Sequence, residues 1–259
     1  MRIFAITNQK GGVGKTTTTV NLAASLHSIK RRVLMIDLDP QGNATMGSGV
    51  DKNDLQKSVY DVLTGYCDVK AAIVSTEQAG YDVLPANGDL TAAEVELLTL
   101  DNKEFRLRDA LKQVAEDYDY IIIDCPPSLS MLTVNGLVAA DSVIIPMQCE
   151  YYALEGLSAL MNTITGITQG PNPGLKIEGL LRTMYDPRNS LTRDVSSQLI
   201  QHFGDRVYDT VIPRNVRLAE APSFGLPALV YDKRSRGAMS YLALAGEVLR
   251  KSQKAARAS

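Results

Sequence analysis

Apolar, β-branched runs alternate along the chain with stretches whose apolar residues recur at helical spacing. That alternation predicts an α/β fold, a mostly parallel central sheet flanked by helices on both faces. Strands are expected at residues 2–7, 32–37, 81–85, 120–124, 142–146, 176–183 and 208–212, several of them apolar on both faces as buried parallel strands are. Leu22, Leu26 and Ile29 fall at i, i+4 and i+7, and Leu107, Leu111 and Val114 repeat the same spacing, which marks two helices with core-facing stripes. The clearest loop, Gly170-Pro171-Asn172-Pro173-Gly174, is short. One domain is therefore expected over residues 1–259, with a basic C-terminal helix and tail over 233–259 inside it.

Composition narrows the class. The 259 residues are 45% hydrophobic and 22% charged, with 19 Gly and 11 Pro, as in ordinary globular chains and unlike disordered or collagenous ones. Uninterrupted apolar stretches such as 121–123 and 143–145 fall far short of the roughly 18 residues that span a bilayer. The first residues enter a strand at once, with no apolar region followed by a cleavage site, so a cytoplasmic location is expected. Cys67, Cys125 and Cys149 form no C-x-x-C pair and suggest neither a disulfide framework nor zinc. His27 and His202 stand alone within expected helices and read as ordinary surface or part-buried residues.

The net charge of −2 hides an asymmetry. From Lys233 onward seven basic residues, Lys254 and Arg257 among them, face the single acid Glu247, a local +6 on a body of −8. Such a tail suits nucleic-acid phosphates or a membrane surface, and equally a solvated final helix.

Three segments carry chemistry. The first strand ends in Asn8-Gln9-Lys10-Gly11-Gly12-Val13-Gly14-Lys15-Thr16-Thr17 and runs directly into a helix, the setting a phosphate-binding loop needs. Its glycines let the backbone turn N–H groups around phosphate oxygens, and the helix N-terminus adds its positive dipole end. Lys15 supplies a point charge to the β- and γ-phosphates, and Thr16 a hydroxyl to Mg²⁺. Where the general pattern has glycine this chain has Gln9, followed by a second lysine, Lys10. That cation either screens charge in its own subunit or reaches across a dimer to the partner's nucleotide.

The second strand closes on Asp37-Leu38-Asp39-Pro40, two carboxylates that an extended backbone points to one face. In a right-handed βαβ unit this strand end lies beside the phosphate loop, where Asp39 can orient or activate a water. An acidic pair at a strand end also serves as a turn or cap device. The run Ile121-Ile122-Ile123-Asp124 is a buried strand ending on an acid that would hold the Mg²⁺ shell, and Pro126 and Pro127 impose a stiff turn after it.

Residues 10–17, 37–42 and 123–128 together resemble the deviant Walker A ATPases, and within them the chain is most similar to the ParA/Soj chromosome-partitioning family. The similarity continues through 181–186 and 212–222 to Tyr231 and Asp232. The resemblance implies a Mg²⁺-dependent ATPase, slow without its partner, that forms an ATP-dependent sandwich homodimer. Lys10 would reach the other subunit's phosphates, with Lys15 and Asp39 completing the catalytic set. Gly11, Gly12, Val13, Gly14, Thr16 and Thr17 would complete the phosphate site, Thr16 and Asp124 the metal site. Pro213 and Asn215 match the segment that contacts adenine, with Met184 close by.

Family members bind double-stranded DNA without sequence preference, and a ParB-type centromere-binding protein stimulates hydrolysis and releases them. Arg188, Arg217 and Lys251 match the DNA-contact positions, with Arg250 as a neighbour; Arg217 is also placed to cap a helix or pair with Glu220. A nucleoid-associated protein is thus expected. The phosphate loop begins within ten residues of Met1, so an operator-binding N-terminal domain is not expected. Residues 249–259 have little apolar face, unlike the membrane helix of MinD-type relatives. The cysteines lack the glycine-rich setting of the nitrogenase iron protein. A positioning ATPase acting on a protein cargo or envelope complex would share the same ATP site, as would a metabolic ligase or reductase of the superfamily.

Overall fold

The computed structural model describes residues 1–151 and 153–258, with 254–258 as backbone alone. The side chains of Lys254 and Arg257, counted above in the basic tail, lie outside the described residues. Eight strands form one sheet: β1 (Arg2–Ile6), β2 (Val33–Asp37), β3 (Val74–Ser75), β4 (Asp82–Leu84), β5 (Tyr120–Asp124), β6 (Ser142–Gln148), β7 (Lys176–Tyr185) and β8 (Val207–Pro213). Between the first two strands runs α1 (Lys15–Ser28), and α2 (Asn43–Gly47), α3 (Val59–Thr64) and α4 (Val69–Ala72) lead to the sheet edge. The middle of the chain supplies α5 (Leu90–Thr99), α6 (Arg106–Leu111), α7 (Met131–Ala139), α8 (Ala153–Gln169) and α9 (Ser190–Phe203). Short α10 (Val216–Glu220) and α11 (Ala228–Tyr231) precede the long α12 (Arg236–Ala258).

The strand order is β3-β4-β2-β5-β1-β6-β7-β8, parallel except for β3. Period-two alternation divides each central strand between two cores. Ile3, Ala5, Leu34, Ile36, Ile121 and Ile123 face the layer of α3, α5, α6, α7 and α8. Phe4, Ile6, Val33, Met35 and Ile122 face α1 and α12. Both faces being covered, the middle strands are apolar throughout, as their runs predicted.

Four expectations change. β5 inserts between β1 and β2, so β2 is one strand removed from the loop-bearing strand and pairs Asp37 with Asp124 in register. Ile29 belongs to no core: α1 stops at Ser28, Lys30 takes a positive φ of 63°, and Ile29 lies at the exposed helix end. Leu107, Leu111 and Val114 are buried, but the helix tightens into a 3₁₀ turn after Leu111. β3 went unseen because two residues are too few for any period. Among the described residues no helix is long and apolar enough to cross a membrane.

Candidate nucleotide-binding site

The loop after β1 is held open by its own polar side chains. Asn8 donates from Nδ2 to the Pro146 carbonyl at 2.8 Å and accepts the Lys10 amide at 3.0 Å, tying the loop's start to β6. At its far end the Thr183 hydroxyl donates to the Val13 carbonyl at 2.7 Å. Gly12 and Gly14 take positive φ values of 72° and 88°, the conformations that turn successive N–H groups toward one point. A Cβ on Gly11 or Gly12 would meet nothing within 4 Å, so the cradle is open. Gly14 caps α1, whose dipole end faces the loop.

Lys15 is buried and donates to the Lys10 carbonyl at 3.2 Å. Burial holds its ammonium below the usual lysine range, while the carboxylates of Asp124 and Asp39 pull the other way. Lys10 points elsewhere: its Nζ meets Glu150 Oε2 at 2.6 Å, both side chains about 40% exposed.

The carboxylates divide their work. Asp124 is buried and accepts from Thr16 Oγ1 at 2.7 Å and from Thr19 Oγ1 at 3.1 Å. Burial, then the neighbouring charge of Asp37, raises Asp124 above the carboxylate range, and the two threonine hydroxyls oppose that rise. Asp37, fully buried, is raised by burial as well. It accepts the Thr45 amide and hydroxyl, both at 2.8 Å, and the Asp39 amide at 3.0 Å. Asp37 is thus the cap-type acid, anchoring α2. Asp39 is only half-buried and accepts the Gln41 amide at 2.9 Å. Paired oxygen donors on Thr16 and Asp124, beside carboxylates whose charge burial penalises, fit the hard-oxygen chemistry of Mg²⁺.

Beside the loop a cleft of about 420 Å³ is lined by Gly14, Thr17, Met184, Pro213, Asn215, Val216 and Tyr241, whose hydroxyl lies 3.0 Å from Thr18 Oγ1. Met184 holds a positive φ of 48°, a strained conformation for a side chain of its size. Asn215 Oδ1 is buried without a hydrogen-bond partner among the described residues, a polar atom suited to a planar ligand's N–H. An apolar slot with one amide beside a phosphate cradle fits a purine nucleotide.

Comparison with known proteins decides the family. A profile described as an AAA domain matches residues 1–177. The chain is 56% identical to the sporulation initiation inhibitor protein Soj of Bacillus subtilis over 95% of its length and 98% of the relative's. To the chromosome partitioning protein ParA of Myxococcus xanthus it is 54% identical, covering 96% and 88%. The chain belongs to the ParA/Soj family. Among solved structures it resembles one titled cobyrinic acid a,c-diamide synthase from Mycobacterium smegmatis, with bound ADP and magnesium. The TM-score is 0.86 at 41% identity, covering 98% of this chain and 96% of that one.

Of the basic residues matched to the ParA/Soj DNA-contact positions, Arg188 and Arg217 are exposed and Lys251 is half-buried, and all three are engaged. Arg188 forms a two-pronged pair with Asp186 at 2.8 and 2.9 Å. Arg217 pairs with Glu220 at 2.7 Å, the alternative its sequence left open, and with Asp232 at 3.4 Å. Lys251 donates to the Asp205 carbonyl and lies 4.3 Å from the Tyr208 ring centre. Arg250 is exposed one residue before it on α12.

Sequence reasoning missed Thr19, Thr183, Glu150 and Arg214, the last of which also lines the cleft. Thr19 was within reach, since Thr16 and Thr19 stand at i and i+3 on one helix face. Arg214 was within reach too, standing between Pro213 and Asn215, whereas Thr183 and Glu150 are brought in by segments distant in sequence.

Proposed function

We propose that the chain is a cytoplasmic, nucleoid-associated DNA-segregation ATPase, one domain over residues 1–259 that works as an ATP-dependent homodimer. Gly11 to Gly14, Lys15, Thr16 and Thr17 would hold the phosphates, Thr16 and Asp124 the Mg²⁺, and Met184, Pro213 and Asn215 the adenine. Bound Mg²⁺ neutralises phosphate charge. Asp39, with less of its carboxylate consumed than Asp37, is the group that orients or deprotonates the attacking water.

Lys10 is the observation that carries the dimer reading. Its ammonium leaves its own loop and rests on Glu150 in a half-exposed pair at 2.6 Å. Such surface pairs are worth roughly 0–1 kcal/mol, so a polyphosphate held by a second copy easily outcompetes the carboxylate. The lone chain then has one loop lysine in place, and slow basal turnover follows.

In this reading the paired chains present Arg188, Arg217, Arg250 and Lys251 twice over to double-stranded DNA, and a ParB-type partner stimulates hydrolysis and release. The test is binding to unrelated double-stranded DNA without nucleotide and with ADP, ATP or a non-hydrolysable analogue, at several salt concentrations. Salt-sensitive binding only with ATP or the analogue is expected. A second reading, an ATPase that positions a protein cargo, draws on the ion pairs that already neutralise Arg188 and Arg217. No DNA binding in any state, with nucleotide binding intact, would replace the first reading by the second.

A further inference from the structure

A second groove lies away from the nucleotide cleft and contains none of the residues assigned above. It encloses about 880 Å³ between the segment after α2, the edge strand β3 with the loop that follows it, and residues 222–225. Its apolar surface comes from Met46, Leu55, Val74 and Phe224. Phe224 is 62% exposed, yet its ring is held in place by stacking on Tyr231 with centroids 5.0 Å apart. Gly49 and Gly225 approach so closely that a Cβ on either would lie 3.1 Å from the other's backbone, which sets the two walls relative to one another. A fixed, exposed aromatic ring in a preformed groove is the arrangement of a binding anchor.

Charge and backbone select the occupant. Asp51, Asp54 and Glu77 line the groove against the single cation Lys57. Neither Asp54 nor Glu77 forms an ion pair among the described residues. An acidic wall repels nucleic acid and attracts lysine or arginine. β3 ends the sheet, and its outer side carries no strand. An added strand would project alternate side chains to opposite sides, one set onto the apolar surface and the other toward the acids. We propose that this groove docks an extended segment of a partner protein in which Lys or Arg alternates with apolar residues, paired along β3 and anchored on Phe224. The occupied groove would press on Met46 of α2, the helix that Thr45 fastens to Asp37.

The test uses the full chain and a short fluorescein-labelled peptide of alternating Lys and Leu, read by fluorescence anisotropy. Controls are an alternating Glu and Leu peptide and a Lys and Leu peptide N-methylated at every second amide. Expected is binding of the first peptide alone. Glu77→Lys and Asp54→Lys should each weaken it by about three- to tenfold, and Phe224→Ala by at least about tenfold. ADP affinity, measured alongside, should stay unchanged in all three variants and so report an intact fold. Binding by both charge-reversal variants equal to that of the wild type, or equal binding of the N-methylated peptide, overturns the proposal. So does sedimentation showing a nucleotide-independent dimer that Phe224→Ala abolishes, which would assign the groove to a second copy.

Discussion

Asp37 and Asp39 stand two residues apart at one strand end, and their surroundings give them different tasks. Three hydrogen bonds from Thr45 and Asp39 consume Asp37, whereas Asp39 keeps a half-exposed carboxylate near Lys15. Asp39→Ala is therefore expected to leave ATP binding and dimerisation intact while lowering hydrolysis by about 10²- to 10⁴-fold, measured by phosphate release beside sedimentation. Loss of the dimer would contradict that role. Lys15→Ala acts earlier: removing a buried cation from the phosphate cradle should weaken nucleotide binding by at least about tenfold in calorimetric titration. Arg188 holds Asp186 down at about 2, so the pair is fully ionised at neutral pH, and in the proposed function DNA would have to displace the carboxylate. Asp186→Asn should tighten DNA binding about two- to fivefold, and unchanged affinity would remove Arg188 from the contact surface. The glycine-rich loop and the candidate carboxylates Asp39 and Asp124 were legible in the chain because each lies at or just beyond the end of a strand in an unbroken local motif. Thr183 was not, since its contact with Val13 depends on how β7 is aligned in the sheet.

At the scale of elements, α2 is small yet firmly placed. Gly42 caps it with a φ of 62°, and a Cβ there would fall 2.7 Å from the Ala86 carbonyl. Gly42→Ala is expected to cost roughly 1–3 kcal/mol in urea denaturation and to slow hydrolysis, because α2 and the Asp39 turn share the Asp37 anchor. Gly12, at a φ of 72° with open space around it, is the contrasting case, where strain falls on the phosphate cradle and not on packing. The seven strands with a legible apolar run all form; β6 and β7 extend two residues beyond expectation because neighbouring strands continue the ladder past the apolar core. Ile29 shows the reverse: helical spacing alone cannot tell where α1 ends, and the positive φ at Lys30 ends it first.

Across the whole molecule, charge is segregated, a local +6 from Lys233 onward against −8 elsewhere. If Arg188, Arg217 and Lys251 each neutralise one phosphate per protomer, a dimer's log affinity for DNA should fall with log salt at a slope of about −5. Lys251→Ala should reduce that slope by about 2, and an unchanged slope would place Lys251 off the DNA. The alternation of apolar and polar positions by itself determined seven of the eight strands and the two-faced burial of the central ones, and the glycine-lysine motif marked the loop after β1, because these are patterns within a few residues. Only the tertiary structure decided that β5 separates β1 from β2, that Asp124 lies beside Asp37, that Glu150 holds Lys10, and that Arg188 and Arg217 are already paired. Strand order and surface ion pairs join residues far apart in the chain, and no local period encodes which distant segments meet.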